Sequence, residues 1–305
     1  MTRCFSLSEA VHGYYRSGFI KSGLQPVSTD LDDGTTIHCW IPKTRPDSKP
    51  NLLLIHGLGA SAVWQWSAVV RRLSPHFNLF VPDLLFFGAS STTRPDRSET
   101  FQAQCLMALM EAHSVRRFSL VGLSYGGFVG YRMAAMAGGG VVERVVICCA
   151  AVCMEEKDMK DGVFRVSDLD EASRILVPES VGKLRELMGY IFYDPSRTRL
   201  IPSCLLEDFI EHALRREYVE EKRELIKAIP KDRKISDIPK IAQPTLIVWG
   251  ESDRVFPVEM GKRLERHLGP NGKLAVIKRS GHVFNFEKPK PFFKLLKSFL
   301  LPPST

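Results

Sequence analysis

The stretch from Phe118 to Gly130 constrains this chain more than any other. Apolar Phe118, Leu120 and Val121 pass into Gly122-Leu123-Ser124-Tyr125-Gly126-Gly127, and a helix-like run of small and apolar residues follows (Phe128, Val129, Met133, Ala134, Ala135). A G-x-S-x-G sequence between a strand and a helix puts the serine on a sharp turn with strained backbone angles. Only residues without side chains fit two positions either side of it. Such a turn pushes the serine hydroxyl out of the sheet edge, and the N–H groups of the following helix face the place where negative charge would develop. Glycine and serine are common residues, so the motif carries weight through its flanks and through two partners expected later in the chain in a fixed order.

The remaining sequence supplies a frame for that turn. Gln25 to Leu31 and Thr35 to Ile41 alternate in polarity around Asp32-Asp33-Gly34, which predicts a β-hairpin after a polar start. Beyond Pro42, Pro46 and Pro50, the run Leu52 to Ile55 has the continuous apolar character of a strand buried on both faces. It ends in His56-Gly57-Leu58-Gly59. Leu79 to Val81, followed by Pro82-Asp83, and Val145 to Cys148 read the same way, with a helix expected from about Glu99 to His113. Strands alternating with helices predict a doubly wound, mostly parallel sheet that opens on an antiparallel hairpin.

From about Cys153 to Ile241 strand-like runs vanish and apolar residues recur at helical spacing, as in Leu184, Leu187, Met188 and Ile191, or Leu205, Leu206, Phe209, Ile210 and Leu214. This predicts a helical cap at 153–241, set between two parts of one core, 1–152 and 242–305. The sheet pattern resumes with Thr245 to Val248 and then Leu274 to Ile277, and each run is followed by a loop with one suitable polar residue, Asp253 and His282.

Ligands of open α/β sheets sit beyond the carboxyl ends of the strands, where Ser124, Asp253 and His282 are all expected. In that arrangement His282 is the general base for Ser124, and Asp253 fixes the imidazole tautomer. Asp83 precedes the serine and so breaks the Ser-Asp-His order.

The hairpin, His56-Gly57, Pro82-Asp83 with Gly88 and Ser90, the Ser124 turn, the Asp253 loop and Gly281-His282 together resemble the α/β-hydrolase superfamily over nearly the whole chain. The resemblance implies an oxyanion hole made by the N–H groups of Tyr125 and Leu58, with His56 as a structural histidine and Asp83 fixing a loop. It also implies hydrolysis of a carboxylic ester, of an apolar or aromatic small molecule or an acyl lipid, with no cofactor and no metal. Ser124 stands where epoxide hydrolases and haloalkane dehalogenases of that superfamily carry aspartate. Carbon–carbon bond hydrolases usually have Asn before the serine and a Gly-Pro-Gly loop, where this chain has Leu123 and Gly57-Leu58-Gly59. The Asp83-to-Gly88 loop and the Gly-Leu-Ser-Tyr-Gly-Gly turn look most like plant members. Two alternatives stay open: a hormone-receptor-like protein with slow turnover, and a carbon–carbon bond hydrolase. The expected substrate-binding residues are Trp64, Phe86 and Phe284 beneath the cap, and Tyr190, Phe192 and Tyr193 within it; Trp66 and Tyr125 are further aromatic candidates.

Composition excludes other classes. The 305 residues carry a net charge of +8, but the basic residues are spread out, and the short clusters (Arg215 and Arg216, Lys231 to Lys234) are interrupted and come with no nucleic-acid motif. No apolar run reaches the length of a membrane span, and Met1 to Ile20 is broken by charges, so neither stable membrane insertion nor a signal peptide is expected. Seven cysteines in odd number without metal-type spacing predict reduced thiols and a cytoplasmic protein. Oligomeric state is left open.

Overall fold

The computed structural model describes residues 6–59, 61–137, 140–160, 168–214, 217–231 and 233–301. The basic pair Arg215 and Arg216 and a short part of the expected cap, 161–167, lie outside the described residues. Among the described residues nine strands form one sheet: β1 Leu24–Asp30, β2 Thr35–Pro42, β3 Asn51–Ile55, β4 Asn78–Pro82, β5 Ser91–Thr92, β6 Phe118–Leu123, β7 Val142–Cys148, β8 Thr245–Gly250 and β9 Gly272–Ile277. Their order is β1-β2-β4-β3-β6-β7-β8-β9, with the short β5 paired on β2. The hairpin β1–β2 is antiparallel in the register Gln25↔Ile41 to Asp30↔Thr36, and β2 meets β4 antiparallel. Every other neighbour along that order is parallel.

The strand order explains where a ligand can sit. From β3 the chain moves outward to β4, then returns to place β6 on the other side of β3. The connections leaving β3 and β6 therefore diverge to opposite sides, opening a crevice beyond their carboxyl ends. β4, β6 and β8 are buried along their whole length, as unbroken apolar strands covered on both faces must be. Helix Ala62–Leu73 covers one face through Val63, Trp66, Val69, Val70 and Leu73, a three-and-four spacing that keeps one stripe inward.

One feature was not expected. The polar start is a helix, Leu7–Lys21, whose cap Ser6 accepts the N–H of Glu9 at 3.1 Å. Its signal was the Ser-x-x-Glu spacing of a capping box, masked by a weak apolar stripe. Between β7 and β8 the described residues form helices and turns and no strand, including Leu169–Leu176, Val181–Ile191, Ser203–Phe209 and Val219–Ala228. In that segment Leu184, Leu187, Leu206 and Ile210 are buried, whereas Leu205 faces outward. The far end of the segment is tied to the core by Arg233, which donates to both Glu99 oxygens at 3.0 and 3.1 Å and to the Val152 carbonyl at 2.9 Å.

Candidate active site

Ser124 leaves β6 with φ +53°, a left-handed conformation that costs a non-glycine residue about 1–3 kcal/mol. Its surroundings enforce it. The Ser124 N–H donates to the Cys148 carbonyl at 2.8 Å, and the Ser124 carbonyl accepts from Gly127 at 2.8 Å as helix Tyr125–Ala137 begins. A Cβ on Gly122 would stand 2.2 Å from the Gly126 carbonyl oxygen, and one on Gly126 would stand 2.4 Å from the carbonyl oxygens of both Ile55 and His56. The two glycines are therefore required by contact, which is the reason the motif has this spacing.

The loop after β3 runs against the same turn. A Cβ on Gly57 would meet the Leu123 carbonyl oxygen at 2.8 Å and the Ser124 Cβ at 2.9 Å. His56 shapes that loop from below. Its Nε2 accepts the Leu84 N–H at 2.9 Å, so its Nδ1 carries the proton and donates to the Gly57 carbonyl at 2.7 Å. Burial pushes the His56 pKa down, against the opposing pull of the Asp83 charge, and keeps the ring neutral. Asp83 accepts from the Ala62 N–H and pairs with His38 Nδ1, each at 2.8 Å. His38 lies in β2, mostly buried, with this carboxylate as its partner.

Asp253 and His282 come from the loops after β8 and β9. His282 Nδ1 donates to Asp253 Oδ2 at 2.8 Å, and the other carboxylate oxygen, Oδ1, accepts the N–H groups of Val255 at 2.8 Å and Phe256 at 3.0 Å. Both side chains are buried. Cys149, the residue after β7, completes this corner: its sulfur lies within 4.8 Å of the ligand atoms of both Asp253 and His282. Burial first, then the Asp253 charge, push the Cys149 thiol well up. The Asp253 oxygens in this corner already accept three hydrogen bonds, which leaves the group few free lone pairs to offer a metal.

The residue before His282 is linked to the helical segment through Glu287. The Gly281 N–H donates to Glu287 Oε2 at 2.7 Å, and the other oxygen of Glu287 accepts the Tyr193 N–H at 2.9 Å. Arg254, next to Asp253, donates to the Gly189 carbonyl at 2.9 Å. Sequence reasoning missed Glu287, Arg254 and Cys149. The first two act on backbone groups remote in sequence, and Cys149 reads as one more small apolar residue in a buried strand.

An apolar cavity lies over Ser124, with about 460 Å³ of empty space that is partly open to solvent. Its core side includes Leu58, Ser124, Tyr125, Phe128 and Phe256, and Leu169, Ala172, Leu176, Ile226 and Ile229 come from the helical segment. Leu58 and Tyr125 thus share one wall with Ser124. The other expected substrate contacts lie elsewhere. Phe284 is fully buried and packs edge-on against Phe292, with ring centroids 5.0 Å apart, and Trp66 is also fully buried, because core packing claims large aromatics first. Trp64 and Phe86 line a separate, more polar cavity with Arg16, Asp83 and Lys222. Tyr190 and Phe192 are half-buried and Tyr193 is exposed, and the wall around Ser124 includes none of them. The main chain of Ile191 to Tyr193 packs on Gly281, an orientation that leaves these rings off the Ser124 cavity.

A family model described as "Alpha/beta hydrolase family" matches residues 52–295. The monoacylglycerol lipase ABHD6 of Mus musculus is 25% identical over 276 residues, spanning 86% of this chain and 79% of that protein. The 2-hydroxy-6-oxo-2,4-heptadienoate hydrolase of Pseudomonas putida is 29% identical over 262 residues, spanning 82% of this chain and 88% of that protein. The crystal structure of a candidate lipase from Acinetobacter baumannii AYE superposes with a TM-score of 0.80 at 22% identity, covering 98% of this chain and 97% of its own. At that identity the likeness is one of fold.

Proposed function

The chain belongs to the alpha/beta hydrolase family, and from that premise we propose that it is a serine hydrolase of carboxylic esters, acting on an apolar or aromatic small molecule or an acyl lipid. The observation that carries this reading is the buried, hydrogen-bonded His282–Asp253 pair on the loops after β8 and β9, at the same carboxyl edge of the sheet as a serine held in a left-handed turn in the wall of an apolar cavity. Ser124 Oγ attacks the ester carbonyl while His282 Nε2 takes its proton, and Asp253 stabilises the imidazolium that forms. The N–H groups of Leu58 and Tyr125 receive the negative oxygen, which is worth about 2.7–4 kcal/mol per donor in comparable sites. Collapse expels the alcohol with the proton from His282. Water then attacks the acyl-serine by the same route and regenerates the hydroxyl.

In this reading the segment 153–241 is a cap that supplies the apolar wall opposite Ser124, and the two flanking parts supply the chemistry. The ABHD6 relative, named as a monoacylglycerol lipase, favours an acyl lipid within the ester class. Among the described residues no helix is long and apolar enough to cross a membrane, and five of the six described cysteines are buried and all six are free, which suits a cytoplasmic protein. The test is a panel of acyl esters together with a serine-directed fluorophosphonate. Wild type should turn over members of the panel and take one label, and Ser124→Ala should lose both while staying folded. Labelling that survives Ser124→Ala would overturn the assignment.

The Pseudomonas putida relative supports a second reading, carbon–carbon bond hydrolysis by the same serine. Turnover of a 2-hydroxy-6-oxo-dienoate at a rate above that of every ester in the panel would select it.

A further inference from the structure

The cavity bordered by Trp64 and Phe86 has about 950 Å³ of empty space, partly open to solvent, between helix Leu7–Lys21, β2, the loop after β4 and the helical segment. A narrower space of about 340 Å³ shares Gly59, Phe87, Leu214 and Lys222 with it, and shares Leu176 with the apolar cavity over Ser124. The three spaces thus adjoin in series, and the middle one passes Gly59, the residue after Leu58. A concave space of this size with aromatic walls and a few charged groups suits a small organic ligand.

The charged groups decide which ligand. Asp83 is engaged: Oδ1 accepts from the Ala62 N–H and Oδ2 pairs with His38, each at 2.8 Å. Glu9 reaches His212 at 3.4 Å, and Glu217 is exposed at the rim. Lys222 places a buried ammonium in the wall, where its Nζ donates to the carbonyls of Leu214 at 3.1 Å and Glu217 at 2.9 Å and lies 5.3 Å from the Phe87 ring centroid. Arg16 differs from all of these. Among the described residues nothing accepts a hydrogen bond from its guanidinium, which lies over the Trp40 ring with Cζ 5.1 Å from the centroid. The residue is half-buried, yet its nitrogens are not among the sealed polar atoms, so a ligand can reach them.

A guanidinium has donors only, set in a planar fork that fits two oxygens of one carboxylate or phosphate. An anion satisfies the fork and its charge together. Trp64, Phe86 and Phe87 offer the rest of such a ligand an apolar wall.

We propose that this cavity is an anion-binding site in which Arg16 receives a carboxylate or phosphate on an organic ligand, while Trp64, Phe86 and Phe87 cover the ligand's apolar part. Binding here goes beyond the ester-hydrolase reading and does not need it. Two sources carry this chemistry: a substrate with an anionic far end that extends past Gly59, and a separate amphipathic anion.

The probes are octanoate and octyl phosphate, with octan-1-ol as the uncharged counterpart of equal chain length, each titrated calorimetrically into the full chain. Wild type should bind at least one anion about 10- to 100-fold more tightly than the alcohol, the contribution of a charge-assisted pair with arginine. Arg16→Gln and Arg16→Met should each bring that ratio to about one; the methionine keeps an apolar stem on Trp40, so one folded charge-free variant remains if the other unfolds. If neither anion binds more tightly than octan-1-ol, or if the preference survives in a folded variant, the cavity holds water only and the proposal is overturned. Kinetics then separates the sources, with p-nitrophenyl esters ending in a free carboxylate or in its methyl ester. A preference for the carboxylate in kcat/KM that Arg16→Gln removes assigns the anion to the substrate; no such preference, with the calorimetric one intact, assigns it to a separate ligand. A protein that turns over no ester fails the ester-hydrolase reading and leaves the calorimetric result, and so the site, standing.

Discussion

Replacing Asp253 with asparagine changes one oxygen to an NH₂ group, and the structure dictates which. Asp253 Oδ1 accepts two main-chain N–H groups, from Val255 and Phe256, at 2.8 and 3.0 Å. An asparagine at this position must turn its amide oxygen to those donors, because facing them with NH₂ would leave two buried N–H groups and the amide donors opposed. Its NH₂ then points at His282 Nδ1, where Asp253 Oδ2 now accepts at 2.8 Å. An amide NH₂ facing Nδ1 is a donor, so Nδ1 becomes the acceptor and the ring proton moves to Nε2. The nitrogen that should take the Ser124 proton is then already protonated. The loss of kcat on a favourable ester should be about 10,000-fold, about 5.5 kcal/mol on the barrier, as expected when a serine–histidine pair is held in the wrong tautomer. The fold should survive with a loss of about 1 kcal/mol, since the two N–H groups keep an oxygen acceptor that is now neutral. The assay is ester hydrolysis with active-site titration by a phosphonate, alongside thermal unfolding of the same sample. A variant that keeps kcat within about tenfold of wild type, folded and correctly titrated, would refute the argument and take Asp253 out of the catalytic group.

Three further outcomes follow from the same contacts. Glu287→Ala frees the N–H groups of Gly281 and Tyr193 and should lower kcat by about 10- to 100-fold with KM little changed; Glu287→Gln, which can still accept from Gly281, should recover part of it, and equal kcat in all three proteins would refute the latch. Leu176→Ala, in the cavity wall, should re-rank long against short acyl chains by about 1–3 kcal/mol, whereas Tyr190→Ala should leave the ranking alone; steady-state kinetics on the ester panel separates these. Stability should fall between pH 7.5 and 5.5, because the buried His56 has its pKa lowered in the fold while the unfolded ring titrates near about 6.5. Its contribution is complete above the unfolded value and is lost as pH drops toward the folded one, and the lowered values of His76 and His113 act in the same sense. His56→Gln, which can accept from Leu84 and donate to Gly57, should flatten part of that slope in thermal unfolding, and a melting temperature that rises on acidification would contradict the assignment.

The elements that sequence exposed are those whose cause is local. A hairpin needs Asp32-Asp33-Gly34 between two alternating runs, and a serine on a left-handed turn needs Gly122 and Gly126 because carbonyl oxygens occupy the space a Cβ would take. Asp253 and His282 were visible because each stands in a short loop directly after an apolar strand, and parallel strands deliver such loops to one edge. What stayed hidden depends on which surfaces meet. Nothing in the composition of Tyr190, Phe192 or Phe284 tells a ring that faces a ligand from one that fills the core, since both are stabilised by the same removal of apolar area from water. The aliphatic residues Leu169, Leu176 and Ile229, unremarkable in sequence, line the cavity instead. Glu287 was hidden for a different reason: its partner at Tyr193 is 94 residues away in the chain, and main-chain donors leave no mark in a sequence.

The helical segment touches the proposed reaction centre in two ways that should fail differently. Leu169, Ala172, Leu176, Ile226 and Ile229 form wall and, in the proposed reaction, meet whatever chain the acyl group carries, so removing a methyl group there should change one ester relative to another. The stretch from Ile191 to Tyr193 meets the histidine loop: a Cβ on Gly281 would stand 2.4 Å from the Ile191 carbonyl oxygen, and the Val283 N–H donates to that same carbonyl at 3.3 Å. With Glu287 spanning Gly281 and Tyr193, the main chain on both sides of His282 is braced by a segment that contributes no reacting group in the proposed mechanism. Loosening this brace displaces the proposed general base by the same amount whatever the substrate, so it should lower every rate in proportion. A wall variant and a brace variant from one helical segment therefore carry opposite kinetic signatures, a changed ranking against a uniform loss. A uniform loss on Leu176→Ala, or a changed ranking on Glu287→Ala, would show that wall and brace move as one body.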